Sequence, residues 1–188
     1  MSLKLITAPT AEPVTLLEAK DHLRVDGADE DALISVLITA ARKWCEEYTG
    51  RQFVTATWDW TMDSFCPSFV APIPPLQSVT SIKYLDTAAV EQTLASSVYR
   101  VDAVSEPGRI ALDYGQSWPS THPVINSVTV RFVAGYGAPQ AVPEPIRQAM
   151  LILIGEMYEQ RQDSVLASLS AVPFGVRALL TPYKVWNF

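Results

Sequence analysis

Two helix signatures placed back to back, in PVTLLEAKDHLRVDGADEDALISVLITAARKWCEEYTGR from Pro13 to Arg51, constrain this chain more than any other stretch. Thr15 followed three residues later by Glu18 has the form of a capping box, in which hydroxyl and carboxylate satisfy the amides left free at a helix start. Leu16, Leu17, Ala19, Lys20, Leu23 and Arg24 follow at helical spacing, and Gly27 is the expected stop. Asp29, Glu30 and Asp31 then set three carboxylates at the start of a second helix, where free amides and the helix dipole favour negative charge. Leu33, Leu37, Ala40, Trp44 and Tyr48 form one apolar stripe, with Ile34, Ile38, Ala41 and Cys45 beside it. Ser35, Thr39, Arg42, Lys43, Glu46 and Glu47 fall to the solvent side, and Gly50 ends the helix.

The apolar period then changes from about 3.6 to 2. Val54 to Met62 alternates as a half-buried strand, with Trp58 and Trp60 on the apolar face, and Ile73 sits among prolines in an extended connection. Val79 to Leu85 and Val90 to Leu94 predict a hairpin around Asp86 and Thr87. Short strands follow at Val98 to Val101 and Arg109 to Tyr114, and a last one at Val128 to Ala134. Pro143 and Pro145 open a third helix, since proline's missing amide costs nothing in a first turn. The expected fold class is α+β: a helical bundle of three or more helices with one antiparallel β insertion. The whole of residues 1–188 then forms a single domain, with helices at 14–50 and 143–188 around a β insertion at 52–137.

Ile146, Met150, Leu153 and Met157 can face the first two helices. Leu151 and Ile152 need a second cover, from the sheet or from a neighbouring copy, and are the candidate oligomer interface. Ser164 to Ser170 reads as weakly helical. The ending carries Tyr183, Trp186 and Phe188 in a segment too short to bury three rings within itself, which makes them candidates for docking on a partner or for folding back as a lid.

Composition narrows the functional classes. With a net charge of −6 and 14 scattered Lys and Arg residues, the chain has no surface built to grip phosphates. Charged residues make up 18% against 48% hydrophobic, poorer in charge than a soluble domain at roughly 25%, so other subunits are expected to cover part of the surface. No membrane span or secretory leader is read, and the chain is expected to be soluble and intracellular. Cys45 and Cys66 give neither a disulfide framework nor a metal spacing, and Cys45 is expected to be buried and inert.

His22 and His122 lack ligand partners at suitable spacing, and DGADED lacks the alternating oxygen ligands and glycine of a calcium loop. Gly135, Tyr136 and Gly137 are followed by no lysine, and Ser117 lacks the second glycine of a nucleophile elbow. No catalytic, cofactor or metal site is expected. The rival to a multimeric building block is a monomeric adaptor that binds peptides at a sheet edge.

These residues also carry a resemblance. LEAKDHLR at Leu17 to Arg24, the acidic cap at Asp29 to Asp31, LITAAR at Leu37 to Arg42 and EEYTGR at Glu46 to Arg51 resemble the opening signature of the head-tail connector proteins of tailed bacteriophages and prophages. PPLQSVTSIKYLD from Pro74 to Asp86, Trp118 with Pro119, VRFVAGYG from Val130 to Gly137, VPEPIRQAMLILIGEMYEQR from Val142 to Arg161 and LLTPYKVW from Leu179 to Trp186 are also similar. The resemblance implies a homo-oligomeric ring, dodecameric on the portal, that extends the DNA channel and seats the tail. It implies the portal protein and a tail-completion protein as partners, DNA passing without specific binding, and a place in the virion after assembly in the host cytoplasm. It carries over no catalytic residue.

Overall fold

The computed structural model describes residues 2–159 and 173–186, which include eight strands and four α-helices. They divide into two compact units, one made of Met1–Pro9 with Thr55–Tyr136 and the other of Thr10–Val54 with Gly137–Phe188.

The first unit is all β. Strands β1 (Ser2–Thr7), β2 (Ala56–Met62), β4 (Leu76–Leu85), β5 (Glu91–Thr93) and β8 (Val128–Ala134) form a five-stranded sheet in the order β1-β2-β8-β4-β5. A second sheet of β3 (Ser68–Val70), β6 (Tyr99–Asp102) and β7 (Arg109–Leu112) has the order β3-β7-β6. Every pairing in both is antiparallel. β8 is the central strand, and its alternation puts Val128, Val130, Phe132 and Ala134 into the core.

Both sheets feed one hydrophobic cluster, to which the small sheet contributes Phe69 and Ile110 and the large one Trp60, Ile82 and Phe132. Trp60 meets Phe69 edge to face at 6.0 Å, and Trp118 stacks on Phe65 at 4.8 Å. Thus the Trp-Pro motif is a packing element. On the opposite face of the large sheet, Arg131 grips Asp59, its cross-strand partner, through two 2.7 Å hydrogen bonds. Gly108 is buried, and a Cβ there would lie 2.6 Å from that of Leu76, so a side chain does not fit without a shift.

The second unit holds α1 (Leu16–Leu23), α2 (Asp31–Thr49), α3 (Glu144–Glu159) and α4 (Phe174–Leu180), with α2 packed on α3 and α3 on α4. The capping box forms as the sequence predicts: the Thr15 hydroxyl accepts from the Glu18 amide at 3.2 Å, and Glu18 accepts from the Thr15 amide at 2.8 Å. Gly50 ends α2 in the left-handed conformation at φ 69°.

The structure corrects the expected architecture. A helical bundle with a single β insertion is not what forms; the described residues make a mixed α+β protein with four short helices and two antiparallel sheets. The β residues are not one insertion either, because Ser2–Thr7, before the first helix, pairs with β2. α1 ends at Arg24, which takes the left-handed conformation at φ 57°, three residues before the expected Gly27. α2 is also rotated relative to its expected stripe. Its buried line is Ile34, Ile38, Ala41, Arg42, Cys45 and Thr49, while Leu37, Ala40, Trp44 and Tyr48 are half-buried and Leu33 is exposed.

Candidate assembly surfaces

The sequence signature turns out to be the internal wiring of the helical unit. Arg42 is 7% exposed. Its Nε donates to Glu12 at 2.6 Å, and another guanidinium nitrogen donates to Glu46 at 2.7 Å. The second Glu46 oxygen accepts from the Gln52 side chain at 2.6 Å and the Phe53 amide at 2.9 Å. Burial opposes the Arg42 charge, but the Glu12 and Glu46 carboxylates outweigh it and leave the guanidinium more firmly protonated than usual. Burial pushes the Glu46 carboxyl up, against the pull of the Phe53 amide and Arg42. Helical spacing assigned Arg42 and Glu46 to solvent; Glu12, thirty residues upstream, joins Glu46 in making burial of the arginine tolerable.

The rest of the signature has similar duties. Lys20 donates to Asp31 at 2.6 Å and also to the Gly27 carbonyl, closing the turn between α1 and α2. Ala19 is fully buried, and His22 lies beside Gly155 of α3. Arg147 donates to Glu18 and, at 3.0 Å, to the Pro13 carbonyl, so the start of α3 is tied to the start of α1. Tyr158 donates its hydroxyl to Glu30, tying the far end of α3 to the start of α2.

The Thr15 amide holds the Glu18 carboxyl below its usual range, helped by the Thr15 hydroxyl and Arg147 and opposed by partial burial. A carboxyl depressed on folding contributes stability above its unfolded value and loses it as pH falls through the folded one. Glu18→Gln is therefore expected to lower the urea midpoint at pH 7, with the gap to the parent closing as the pH falls below about 4. A gap that stays constant from pH 7 to pH 3 would mean that the Glu18 charge is not coupled to folding.

The candidate interface residues on α3, Leu151 and Ile152, are both half-buried, while Ile146, Ala149, Met150, Leu153 and Ile154 are buried. The aromatic ending is partly held by its own unit. The Val185 amide donates to the Thr49 carbonyl at 2.8 Å, and Arg51 Nε donates to the Tyr183 carbonyl at 2.5 Å. Lys184 Nζ sits 5.0 Å from the Tyr48 ring centroid and 4.9 Å from that of Trp186. Tyr183 is half-buried and Trp186 is exposed; Phe188 and the stretch Ser164 to Ser170 lie outside the described residues. Exposed apolar side chains that the sequence reading did not single out as surface are Leu17, Val36 and Phe174 in this unit, and Leu3, Leu5 and Ile6 on β1.

Among the described residues no group of His, Cys, Asp and Glu is arranged to hold a metal, and no helix is long and apolar enough to cross a membrane. Cys45 is fully buried, which pushes its thiol up to about 12. An open cleft of about 450 Å³ lies between the segment before α1 and α2, lined by Glu12, Val14, Ile38, Thr39 and Pro139. Its carboxylate is already engaged by Arg42 and Thr39. The side chains gathered here hold helix ends and turns, and several apolar side chains are left exposed among polar ones.

Residues 13–101 match the family described as phage gp6-like head-tail connector protein. Over that segment the chain is similar to head-tail connector proteins. The match takes in α1, α2 and their signature, together with the strands from β2 to β5 and most of β6. Solved structures extend the likeness to the full length. A chain from the neck of an empty gene transfer agent particle, computed with C6 symmetry, has a TM-score of 0.82 at 26% identity. A chain from the virion of the native gene transfer agent particle gives 0.80 at 27%, and one from the native neck computed with C12 symmetry gives 0.78 at 27%. Each likeness covers 100% of this chain and 97% of the other. No curated protein matches the chain.

Proposed function

We propose that this chain is a structural protein of a phage-like virion, assembling as a homo-oligomeric ring in the neck. The observation that carries this is the full-length similarity to chains from necks of C6 and C12 symmetry. The ring has twelve copies, sits beneath the portal, extends the DNA channel and seats the tail through a tail-completion protein. Subunits gather on the portal in the host cytoplasm before taking their place in the virion. The net charge of −6 suits a conduit that DNA slides through without adhering. The role is structural and calls for no enzymatic chemistry.

Leu151 and Ile152 contribute to the contact between copies, and Trp186, held outward by the main-chain ties of Tyr183 and Val185, docks with Tyr183 and Phe188 on the portal or an adjacent subunit. Light scattering of the chain alone and after coexpression with a portal protein tests the ring: a species of about twelve copies on the portal is expected, and a monomer under both conditions would favour the peptide-binding adaptor. Leu151→Asp is expected to lower the oligomer mass while leaving cooperative melting intact, since an unpaired charge buried in an interface costs several kcal/mol, roughly. A variant that unfolds would assign Leu151 to the subunit's own core.

A further inference from the structure

The core face of the five-stranded sheet runs beyond its cover. Across the strands, Ile82, Val130, Trp60 and Leu3 are successive partners, and so are Val79, Phe132, Trp58 and Leu5. Directly opposed residues of antiparallel strands share a face, so Leu3 and Leu5 belong to the same apolar face as the buried rows. Burial nevertheless fails along each row. Val130 is 0% and Trp60 7% exposed, but Leu3 is 43%; Phe132 is 1% exposed, but Leu5 is 42%. The reverse face of β1 is polar at Ser2 and Lys4, with Lys4 opposite Asp59 and Ser2 Oγ 2.7 Å from Thr61 Oγ1, and Ile6 lies at the register irregularity after Leu5.

β1 is also a terminal strand, whose outer edge pairs with no strand among the described residues. A six-residue edge carrying leucines and a single lysine is the kind that recruits protein, because free amides and carbonyls lie beside uncovered apolar surface. We infer that β1 is the seat of a second copy of this chain, whose apolar surface covers Leu3 and Leu5 and completes the core face begun by Trp58 and Trp60. This rests on the ring reading above. A ring of identical subunits needs two different surfaces on each, one given and one received. The same β unit supplies a separate apolar set at one end of the small sheet, where Val70 pairs with Arg109 on β7 and Val104 tops the β6–β7 connection, both exposed.

The test uses the full chain with Leu3→Asp and Leu5→Asp combined, coexpressed with the portal protein beside the parent. Both leucines are exposed in the subunit, so the thermal midpoint of the isolated variant is expected to stay within a few degrees of the parent while the amount of ring falls at least tenfold. A photo-crosslinking residue at Leu5 is expected to join two copies of this chain in parent rings. Variant rings of parental yield, or crosslinks that lead only to another protein, would overturn the inference while leaving the ring intact. A parent that forms no ring would overturn the ring reading itself and this inference with it.

Discussion

Arg42→Ala is expected to lower the unfolding free energy by about 3 kcal/mol, the lower end of what breaking a buried ion pair costs. The loss comes less from the missing attraction than from what is left behind. Glu12 would keep only its Thr39 hydrogen bond, and Glu46 would face Gln52 and the Phe53 amide with no counter-charge. Glu12 retains some solvent, with 28% side-chain exposure, which is why the lower end applies. Arg42→Lys should recover only part of the loss, because a point charge cannot reproduce the fork that reaches Glu12 and Glu46 at once. Urea unfolding of the two variants and of Arg42→Ala with Glu12→Gln measures this. A loss below about 1 kcal/mol for the alanine variant would mean that the two carboxylates rehydrate freely and that the pair is a surface one.

Phe132→Ala should cost about 3–5 kcal/mol, the range for deleting a buried aromatic ring. Phe132 is 1% exposed on the central strand, between Trp58 on β2 and Val79 on β4. No neighbouring side chain can collapse into the space without leaving its own strand, so most of the cavity should persist. Leu5→Ala, in the same cross-strand row but at the edge, should cost less than about 1 kcal/mol in the isolated subunit. The difference between these two variants in denaturant midpoint measures how far the covering layer extends. Equal losses would place Leu5 in the core of the subunit and remove it from the surface available to a partner.

The parts of the fold legible in the residues are those whose stabilising partners lie within one turn or one hairpin. The Thr15 capping box joins residues three apart, Gly50 relieves strain at a single backbone position, and the β4–β5 hairpin closes through Asp86 to the amides of Ala88 and Val90. β8 was also recoverable at its full length, because a central strand covered on one face alternates cleanly. β3 was not: three residues are too few to show a period. Its ladder partners in β7 come about forty residues later, and pairing at that distance leaves no local trace.

The candidate surfaces divide in the same way. The signature residues were visible as a pattern, but their physical roles required the folded chain. Arg42 reads as solvent-facing by helical spacing, and its burial is tolerable because Glu12 arrives from outside the helix to join Glu46. β1 reads as an undistinguished start, and it becomes an edge strand because residues 57–61 offer it a ladder.

The amino-acid order alone therefore determined the capped start of the first helix, the stop at Gly50, the change of period after Arg51, the low charge and the signature motifs, all set by local backbone strain, side-chain capping and apolar spacing. The second helix starts at Asp31 rather than Asp29, with no side-chain cap. Tertiary structure alone decided that the strands separate into two sheets, that an N-terminal strand joins the larger one, which line of α2 is buried, and which leucines are left uncovered. Those outcomes depend on contacts between residues dozens of positions apart, where the entropy of closing a long loop is offset only by the packing it permits.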